Sequence, residues 1–273
     1  MPASVIQRQY DEVIAEHYDL DPYRVIGRSL DRAVAQIGRE LGLGARSASI
    51  QVLDLGVGTG SFLAKLGAHV GPIRPYGIDI SQKMIDIASQ KVPGLNAAVD
   101  DAVNLDAQFL GESFDIICTH YVTGFVPMAE LATKIRDRLA SGGYWSLVGG
   151  TKGGFPALRS KADSKAARLL FGGNTVDVDD RVCNPADRAE ILRTFETHGF
   201  DVCRCETFAP RLDFKNLDDF LAFAYYGGWL TPFVEALGLH RMQGTTKAEV
   251  DSLFFPVTDY HSIEIALAKK DGP

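Results

Sequence analysis

The sequence predicts an α/β protein with a doubly wound, mostly parallel seven-stranded sheet, to which a helical N-terminal segment and a lid are added. From Ile50 onward, short apolar runs alternate with helix-like segments, which is typical of a parallel sheet covered on both faces. A bare turn, "GVGTG" at 56–60, directly follows the first apolar run, where such sheets bind ligands. Two further apolar runs near the C-terminus bring the predicted strands to seven.

The strands are predicted from short apolar runs, and the helices from apolar residues three or four apart. The predicted strands are "IQVLDL" (50–55), "RPYGIDI" (74–80), "LNAAV" (95–99), "FDIICTH" (114–120), "YWSLVGG" (144–150), "FDVCRCETF" (200–208) and "SIEIALAKK" (262–270). The predicted helices are "SFLAKLGAHV", "SQKMIDIASQKV", "MAELATKIRDRLA" and "PADRAEILRTFETHG". Ser81 is the predicted N-cap of the second helix, and Gly142-Gly143 is the predicted end of the third.

We expect the whole chain, 1–273, to form one domain, since no repeat, low-complexity tract or linker interrupts it. A Gly- and Lys-rich insertion at about 151–183 and an aromatic helical region at 217–255 are expected to pack over the core as a lid. The parts of the domain are expected at about 5–42 (helical N-terminal segment), about 50–150 (cofactor-binding core), about 151–261 (insertion and lid) and about 262–270 (last strand).

The amino-acid composition limits the classes of partner that we expect this protein to bind. Lys+Arg 28 against Asp+Glu 35 gives a formal charge of −7, and no basic run offers a surface to phosphate backbones, so no nucleic-acid partner is expected. The N-terminus lacks a basic and apolar leader, and no stretch approaches about 18 successive apolar residues, so neither secretion nor a membrane span is expected. The cysteines lack the spacing of a zinc site and are expected to be structural thiols in a reduced, cytoplasmic setting; they are Cys118, Cys183, Cys203 and Cys205.

The turn after the first strand is the strongest functional signal. Gly56, Gly58 and Gly60 let the backbone tighten and let a ligand lie on the main chain, near the amides that open the next helix. Asp79 ends the second strand about twenty residues later, where a carboxylate accepts hydrogen bonds from both hydroxyls of a ribose. Asp101-Ala102 follows the third strand and offers a carboxylate and a backbone amide to the edge of an adenine.

Two features distinguish this turn from that of a nicotinamide-dependent oxidoreductase. The dinucleotide pattern is G-x-G-x-x-G, whereas the third glycine here comes one residue early. Asp54 places a negative charge beside the turn, where it would repel a pyrophosphate and attract a ligand that carries an amino group and a sulfonium centre. S-adenosylmethionine is such a ligand, and a nicotinamide cofactor is the alternative.

Five motifs resemble, in order and spacing, those of class I S-adenosylmethionine-dependent methyltransferases over about 50–150. They are "VLDLGVGTG", "YGIDIS", "DDAVNL", "FDIICTHYVTGFVP" and "LASGGYWSLV". The early "YDEVIAEHYD" resembles the N-terminal tyrosine motif of small-molecule methyltransferases of ubiquinone and menaquinone biosynthesis. The resemblance implies a Rossmann-like methyltransferase fold, S-adenosylmethionine as cofactor and a hydrophobic small molecule as methyl acceptor.

The resemblance also implies roles for single residues. Gly56, Gly58 and Gly60 would line the methionine part of the cofactor, and Asp54 would lie beside its amino group. The other implied contacts are Asp79 on the ribose, Ile80 against the adenine, Asp101 and Ala102 at the edge of the adenine, Thr119 and His120 where the fourth strand ends, and Tyr10 and Tyr18 in a lid over the cofactor.

Methyl transfer to a hydroxyl or an acidic carbon also needs a group that removes a proton. His120 is the first candidate, because an imidazole is easily held neutral near pH 7; a purely structural His120 is the alternative. Tyr121 is expected to orient the acceptor or to form a pocket wall. His261 and Glu235 are further candidate bases, with a loop role as the alternative for His261. Position 124, often polar in the family, is Gly here, so no catalytic role carries over to it.

The acceptor class follows in part by exclusion. The tetrad [D/N/S]-P-P-[Y/F/W] of amino-group methyltransferases is replaced by "CTHY", and no carboxylate cluster suits magnesium, so no metal is expected. The aromatic region at 217–255 is expected either to pack the lid or to line an apolar pocket. Methyl transfer to carbon or oxygen of a terpenoid, quinone or aromatic secondary metabolite is therefore expected. A non-catalytic S-adenosylmethionine-binding protein and a cyclase that uses the same cofactor are alternatives, and a homo-oligomer stays open.

Overall fold

A seven-stranded sheet forms the centre of the molecule, in the order β3-β2-β1-β4-β5-β9-β6. The computed structural model describes residues 3–42, 49–171 and 182–272. Strands β1 to β5 run parallel to one another, and β9 is antiparallel to both β5 and β6. The strands of this sheet are β1 (Ile50–Leu55), β2 (Ile73–Asp79), β3 (Asn96–Val99), β4 (Phe114–His120), β5 (Leu139–Gly150), β6 (Phe200–Phe208) and β9 (Ile263–Lys270). The predicted doubly wound, mostly parallel sheet of seven strands is confirmed.

Helices cover both faces of the sheet. Buried side chains of α2, α3 and α4 pack with one face, and those of α5 and α8 pack with the other. Ser81 caps α4 as predicted, since its hydroxyl accepts a hydrogen bond from the backbone N–H of Met84 at 3.1 Å. The helices up to α8 are α1 (Ala3–Gln9), α2 (Val25–Leu41), α3 (Ser61–Val70), α4 (Gln82–Lys91), α5 (Met128–Arg138), α6 (Pro156–Ala162), α7 (Lys165–Leu170) and α8 (Arg188–Thr197).

The N-terminal segment is helical but interrupted. A π-helical turn at Tyr10–Ile14 and a 3₁₀ turn at Tyr18–Leu20 separate α1 from α2. Asp21 ends this irregular stretch: its two carboxylate oxygens accept hydrogen bonds from the backbone N–H groups of Val25 and Gly27, both at 2.8 Å. These bonds satisfy backbone donors at the start of α2 that have no partner within the helix.

A further group of helices lies within and after the insertion and packs on the α2 and α3 side of the sheet. We name as outer helices α6, α7, α9 (Leu217–Ala224), α10 (Thr231–Ala236) and α11 (Gly244–Phe254). The buried side chains of α9, α10 and α11 belong to the same apolar cluster as those of α2 and α3, and partly buried side chains of α6 and α7 pack against it. Residues 172–181 of the predicted insertion lie outside the described part of the chain. Across the described ranges, no helix combines the length and the hydropathy that a bilayer crossing requires.

Two sequence predictions differ from the structure. Gly142-Gly143 does not end α5; the helix stops at Arg138, and both glycines lie within β5, where the pairing with β4 is irregular. A Cβ at Gly143 would lie 3.0–3.1 Å from three backbone carbonyl oxygens, so this glycine permits a close backbone approach. The second difference is a two-stranded antiparallel sheet, β7 (Arg211–Phe214) with β8 (Val257–Tyr260), which the sequence did not predict.

Candidate active site

Two clefts meet at the carboxyl ends of the central strands. Strand β1 pairs with β2 on one side and with β4 on the other, so the strand order reverses there, which is where open α/β sheets bind ligands. The first cleft holds about 790 Å³ and the second about 800 Å³, each partly open to solvent. Four aromatic side chains line both clefts and form the junction between them: Tyr10, Tyr18, Tyr121 and Phe125.

Most of the predicted cofactor residues line the first cleft. They are Gly56, Gly58, Asp79, Ile80, Asp101, Ala102, Tyr10 and Tyr18, together with His120 and Tyr121. Asp54, Gly60 and Thr119 do not belong to this lining. The structure therefore brings together residues from the turn, from the ends of β2 and β4, from the turn after β3 and from the N-terminal segment.

The three glycines of the turn have different surroundings. All have positive φ angles, between +53° and +76°, which L side chains rarely adopt. Gly56 and Gly58 face the first cleft, and Tyr18 lies over Gly58. Gly60 instead packs against α4, where a Cβ would lie 2.8 Å from the Val92 side chain. The expected cofactor contact of Gly60 is thus replaced by close packing between the turn and a helix.

Asp79 is a buried carboxyl at the edge of the first cleft. Its two oxygens accept hydrogen bonds from the backbone N–H groups of Gly58 at 2.8 Å and Ser81 at 2.9 Å, so it also holds the glycine turn in place. Burial raises the pKa of Asp79 to about 6, although these backbone hydrogen bonds act in the opposite direction. Each oxygen keeps lone pairs for a ligand hydroxyl.

Asp54 lies beneath the turn, next to Cys118 and His120. A carboxylate oxygen, the thiol sulfur and a ring nitrogen of these three residues all lie within 4.8 Å of one another. Within the described part of the chain, Oδ1 of Asp54 and Nδ1 of His120 are buried and have no hydrogen-bond partner. Two such atoms on neighbouring side chains suit a ligand that brings its own donors, such as an ammonium group.

The same three residues are poorly suited to a metal ion. Burial raises the pKa of the Cys118 thiol well above its usual value, and the nearby Asp54 raises it further, so the thiolate that binds metals is disfavoured. Burial also raises the pKa of Asp54 well above its usual value, with Asp79 as the second cause. A cationic group that enters the first cleft would stabilise the ionised form of Asp54.

His120 is held in one orientation at the end of β4. Its Nε2 lies 3.0 Å from the hydroxyl of Ser146, and its ring packs edge-on against Phe62 at 4.2 Å between centroids. Burial lowers the pKa of His120 to about 3, so the ring is neutral near pH 7. It lines the first cleft but not the second, which places it beside a cofactor more readily than beside an acceptor.

Thr119 is placed on the other face of the sheet. Its hydroxyl accepts a hydrogen bond from the indole N–H of Trp145 at 2.8 Å, and the residue is fully buried. Successive side chains of a strand alternate between faces, so a strand that presents His120 to the first cleft turns Thr119 away. The structure does not support a side-chain contact between Thr119 and a cofactor.

Asp101 and Ala102 follow β3 at the far end of the first cleft. Asp101 caps a 3₁₀ turn, Ala102–Ala107, by accepting a hydrogen bond from the backbone N–H of Val103 at 3.1 Å. Ala102 is the first residue of this turn, so its backbone N–H has no acceptor within the turn. Ile80 lines the cleft nearby. A flat base at this position would meet an apolar side chain, a free N–H and a carboxylate.

Acidic residues fasten the N-terminal segment over the first cleft. Asp11 accepts hydrogen bonds from the Ser81 hydroxyl at 2.6 Å and the Lys83 backbone N–H at 3.2 Å, at the start of α4. Asp19 accepts from the hydroxyls of Thr59 and Ser61, at 2.7 and 3.1 Å. Asp19 also pairs with the ammonium group of Lys91 at 2.5 Å, while Lys83 pairs with Glu16 at 2.6 Å.

Tyr121 stands at the junction in a constrained conformation. Its φ angle is +63°, which is unusual for a bulky residue, and its backbone N–H donates to the carbonyl of Val148 at 2.6 Å. Its hydroxyl lies 2.6 Å from that of Ser29, and its ring packs edge-on against Trp229 at 4.9 Å. Because burial raises the pKa of Tyr10, Tyr18 and Tyr121, all three remain protonated phenols near pH 7.

The second cleft has an aromatic wall that includes His261. The His261 ring stacks on Phe155 at 4.5 Å and packs edge-on against Trp229 at 4.9 Å. Burial lowers the pKa of His261 to about 3, so this imidazole is neutral as well. Its position in the second cleft makes it the better placed of the two histidines to act on an acceptor.

Glu235, the remaining candidate base, and Asp259 both have structural partners. Glu235 accepts hydrogen bonds from Arg8 at 3.0 Å and Gln9 at 2.7 Å, which joins α10 to α1, so it is not placed as a base. Asp259, which the sequence places beside His261, caps α6 by accepting from the backbone N–H of Leu158 at 2.7 Å. Gly124 lines the second cleft next to Asn184.

Several site residues were not identified from the sequence. Ser29 lies in the middle of α2, Phe155 lies in the insertion, and Asp11 and Asp19 lie in the N-terminal segment. Only the two aspartates had a local signal, because both lie within or beside the tyrosine motif that the sequence singled out. Ser29 and Phe155 reach the site through tertiary contacts, which no short motif shows.

Part of the chain matches a known protein family. Residues 52–143 match the family described as "Methyltransferase domain". A demethylmenaquinone methyltransferase of Lactobacillus johnsonii is 35% identical over 89 residues, which cover 30% of this chain and 36% of that protein. The chain therefore spans little more than a third of the length of this curated relative.

Solved structures share the fold over nearly the whole chain. Magnesium protoporphyrin IX methyltransferase of Synechocystis PCC 6803, with bound S-adenosylhomocysteine, gives a TM-score of 0.56 at 15% identity, covering 98% of this chain and 99% of that one. Geranyl diphosphate C-methyltransferase of Streptomyces coelicolor A3(2), in complex with Mg²⁺, geranyl diphosphate and S-adenosyl-L-homocysteine, gives 0.55 at 14% identity, covering 98% and 97%. Residues 52–143 therefore carry a methyltransferase domain, and the chain as a whole shares the fold of these two methyltransferase structures.

Proposed function

We propose that this protein transfers a methyl group from S-adenosylmethionine, bound in the first cleft, to an apolar small molecule bound in the second. The observation that carries the proposal is the junction: two clefts of similar size meet at Tyr10, Tyr18, Tyr121 and Phe125. Methyl transfer requires donor and acceptor to be held end to end, in contact and away from water. Two clefts that share a wall provide that arrangement.

The residues of the first cleft fit this cofactor. The unpartnered Oδ1 of Asp54 and Nδ1 of His120 suit its amino group, and Gly56 and Gly58 let its methionine part approach the main chain. Asp79 is placed to bind the ribose, and Asp101 to accept from the adenine. When bound, the sulfonium supplies a methyl group that is already activated for displacement.

The protein contributes position and exclusion of water. The acid-fastened N-terminal segment covers the first cleft, and Tyr10 and Tyr18 project from it to the junction. Neutral His261 is placed to receive a proton from the acceptor in the second cleft, whereas the protonated tyrosines are not. The low pKa of His261 makes it a weak base, so positioning is the larger contribution.

The direction of the hydrogen bond between Tyr121 and Ser29 favours an acceptor that carries a hydroxyl group. Ser29 has one hydroxyl proton and donates it to the carbonyl of Ile26 at 2.8 Å, so Tyr121 donates to Ser29. The phenolic oxygen of Tyr121 therefore presents only lone pairs to the junction. A phenol, enol or alcohol on an aromatic, quinone-like or terpenoid skeleton would donate to it, with methylation at oxygen or at the neighbouring carbon.

Calorimetry with S-adenosylhomocysteine and with NAD tests the first half of the proposal. We expect binding of S-adenosylhomocysteine at one site per chain and no binding of NAD; binding of NAD alone would refute the proposal. The second half is tested with radiolabelled S-adenosylmethionine and a panel of apolar phenols, quinols and terpenoid alcohols. Cofactor binding without methyl transfer to any of them would favour a non-catalytic protein or a cyclase.

A further inference from the structure

A third cavity lies among the outer helices, behind the second cleft. It encloses about 910 Å³ and is partly open to solvent. Apart from Arg159, Lys161 and Asp163, every side chain that lines it is apolar. Leucines and phenylalanines form most of its wall, including Phe220 in α9, Leu237 directly after α10 and Phe254 in α11.

The third cavity adjoins the second cleft. Phe155, Arg159 and Leu230 line both, so these side chains stand at the boundary between the two spaces. Several polar side chains line the second cleft but not the third cavity, including Tyr121, Thr151, Asn184 and His261. The second cleft therefore suits a polar head, and the third cavity, apart from its three charged side chains, suits a hydrocarbon chain.

We propose that the third cavity binds the hydrocarbon chain of the methyl acceptor, whose hydroxyl-bearing head lies in the second cleft. This inference rests on the proposed function, which identifies the second cleft as the acceptor site. Each methylene that leaves water for an apolar wall contributes to binding, so a long chain adds affinity without adding contacts at the reacting atom. The outer helices would then select acceptors by chain length, while Tyr121 selects the head.

Binding of 4-alkylphenols with chains from two to ten carbons tests the proposal. The affinity, measured by calorimetry with saturating S-adenosylhomocysteine, should rise about three- to fourfold per added methylene, with one ligand per chain. An affinity that does not change with chain length would overturn the proposal. So would simultaneous binding of short 4-ethylphenol and long 4-decylphenol, because they would then occupy separate sites.

A substitution that fills the third cavity tests whether the alkyl chain of the ligand binds there. Ala162 lines the third cavity at the end of α6, and Ala162→Phe places a ring into the space. The variant should bind 4-decylphenol at least tenfold more weakly and 4-ethylphenol as before. Ala166→Phe, an exposed position on α7 outside the cavity lining, is the matched control and should change neither affinity. Unchanged binding of 4-decylphenol by Ala162→Phe would contradict the assignment.

The two proposals fail in different ways. If S-adenosylhomocysteine does not bind, the proposed function is wrong; the phenol series, repeated without it, still measures the cavity. If S-adenosylhomocysteine binds normally but the phenol affinity is independent of chain length, only the assignment of the third cavity is wrong. Thermal unfolding of both variants, expected within a few degrees of the parent, shows whether Ala162→Phe preserves the fold.

Discussion

The hydroxyl groups of Ser29 and Tyr121 lie 2.6 Å apart at the junction of the two clefts, and the Ser29 hydroxyl also lies 2.8 Å from the carbonyl oxygen of Ile26. Because Ser29 gives its only proton to the carbonyl of Ile26, the phenol must donate and its remaining lone pairs face the clefts. Under the proposed function, this buried serine of α2 sets which hydrogen-bonding group of the acceptor Tyr121 recognises.

Removal of the phenol should abolish the preference for a hydroxyl group. We expect the parent protein to bind 4-hexylphenol about fivefold more tightly than 4-hexylanisole, which cannot donate a hydrogen bond. Tyr121→Phe should make the two affinities equal. Ser29→Ala, which frees the phenolic proton to donate to the ether, should narrow the difference. The measurement is calorimetry of both ligands with saturating S-adenosylhomocysteine; a parent protein that binds both equally would contradict this role of Tyr121.

Cofactor affinity should depend on pH through Asp79. Its pKa is about 6 in the ligand-free protein, and ribose hydroxyls that donate to the carboxylate would lower it, so binding below pH 6 must release a proton. The affinity for S-adenosylhomocysteine should be constant above about pH 7 and fall below pH 6, by at most about tenfold per pH unit. Titrations between pH 5 and 8 measure the profile.

Asp79→Asn is the matched variant for this profile. At pH 7.5 it should bind S-adenosylhomocysteine more weakly by about 1–3 kcal/mol, because a neutral amide replaces charge-assisted hydrogen bonds. Its affinity should also vary less between pH 5 and 7 than that of the parent. Identical profiles in the two proteins would show that another group, such as Asp54, releases the proton.

Substitutions of the two buried histidines should affect different steps, cofactor binding for His120 and turnover for His261. His120 lines only the first cleft, so His120→Asn should weaken binding of S-adenosylhomocysteine by about tenfold or more, through an unpaired ammonium group. His261 lines only the second, so His261→Asn should leave that affinity within about twofold and reduce turnover. Both pKa values are about 3, so neither histidine should produce a step in the rate between pH 5 and 9. Equal losses of cofactor affinity would contradict this division.

Substitutions in the glycine turn should cause two kinds of defect, one in stability and one in cofactor binding. Gly60→Ala places a Cβ 2.8 Å from Val92 and 3.2 Å from Ala88 at a φ angle of +76°, and should lower the free energy of unfolding by about 1–3 kcal/mol. Gly58→Ala has more room, with Tyr18 at 3.8 Å, and should chiefly weaken cofactor binding. Thermal melts and calorimetry distinguish the two. A Gly60→Ala variant as stable as the parent would mean that the turn can move away from α4.

Local patterns predicted the sheet and most of the first cleft, because each signal lies within a few residues. Strand β4 was predicted at its observed bounds, and Asp79 was placed correctly because it ends a β-strand. The sequence did not predict the pairing of Arg211–Phe214 with Val257–Tyr260, since these short strands are far apart in the chain. It also could not show that Gly60 faces a helix while Gly58 faces the cleft.

The functional roles were harder to predict than the elements that carry them. Thr119 and His120 are neighbours in a motif, yet the alternation of the strand places them on opposite faces. Glu235 has the chemistry of a base, but its contacts with Arg8 and Gln9 make it a link between helices. The first distinction follows from the alternation of a strand, whereas the second depends on contacts between segments far apart in sequence, which residue type and spacing do not encode.

The N-terminal segment should control how long the cofactor stays bound. Asp19 joins this segment to the glycine turn through Thr59 and Ser61 and to α4 through Lys91. Burial alone would raise the pKa of Asp19, but the bonds from Lys91 and Thr59 lower it overall, so the carboxylate is ionised near pH 7 and these bonds are formed.

Asp19→Asn should therefore loosen the segment and raise the dissociation rate of S-adenosylhomocysteine by about five- to twentyfold, with a smaller effect on the association rate. Stopped-flow displacement measures both rates. Asp31→Asn is the control, because it removes an ion pair with Lys65 on α3 that does not involve the N-terminal segment. It should leave both rates unchanged. If Asp19→Asn slowed association and left dissociation unchanged, the segment would guide the cofactor into the cleft and would not retain it there.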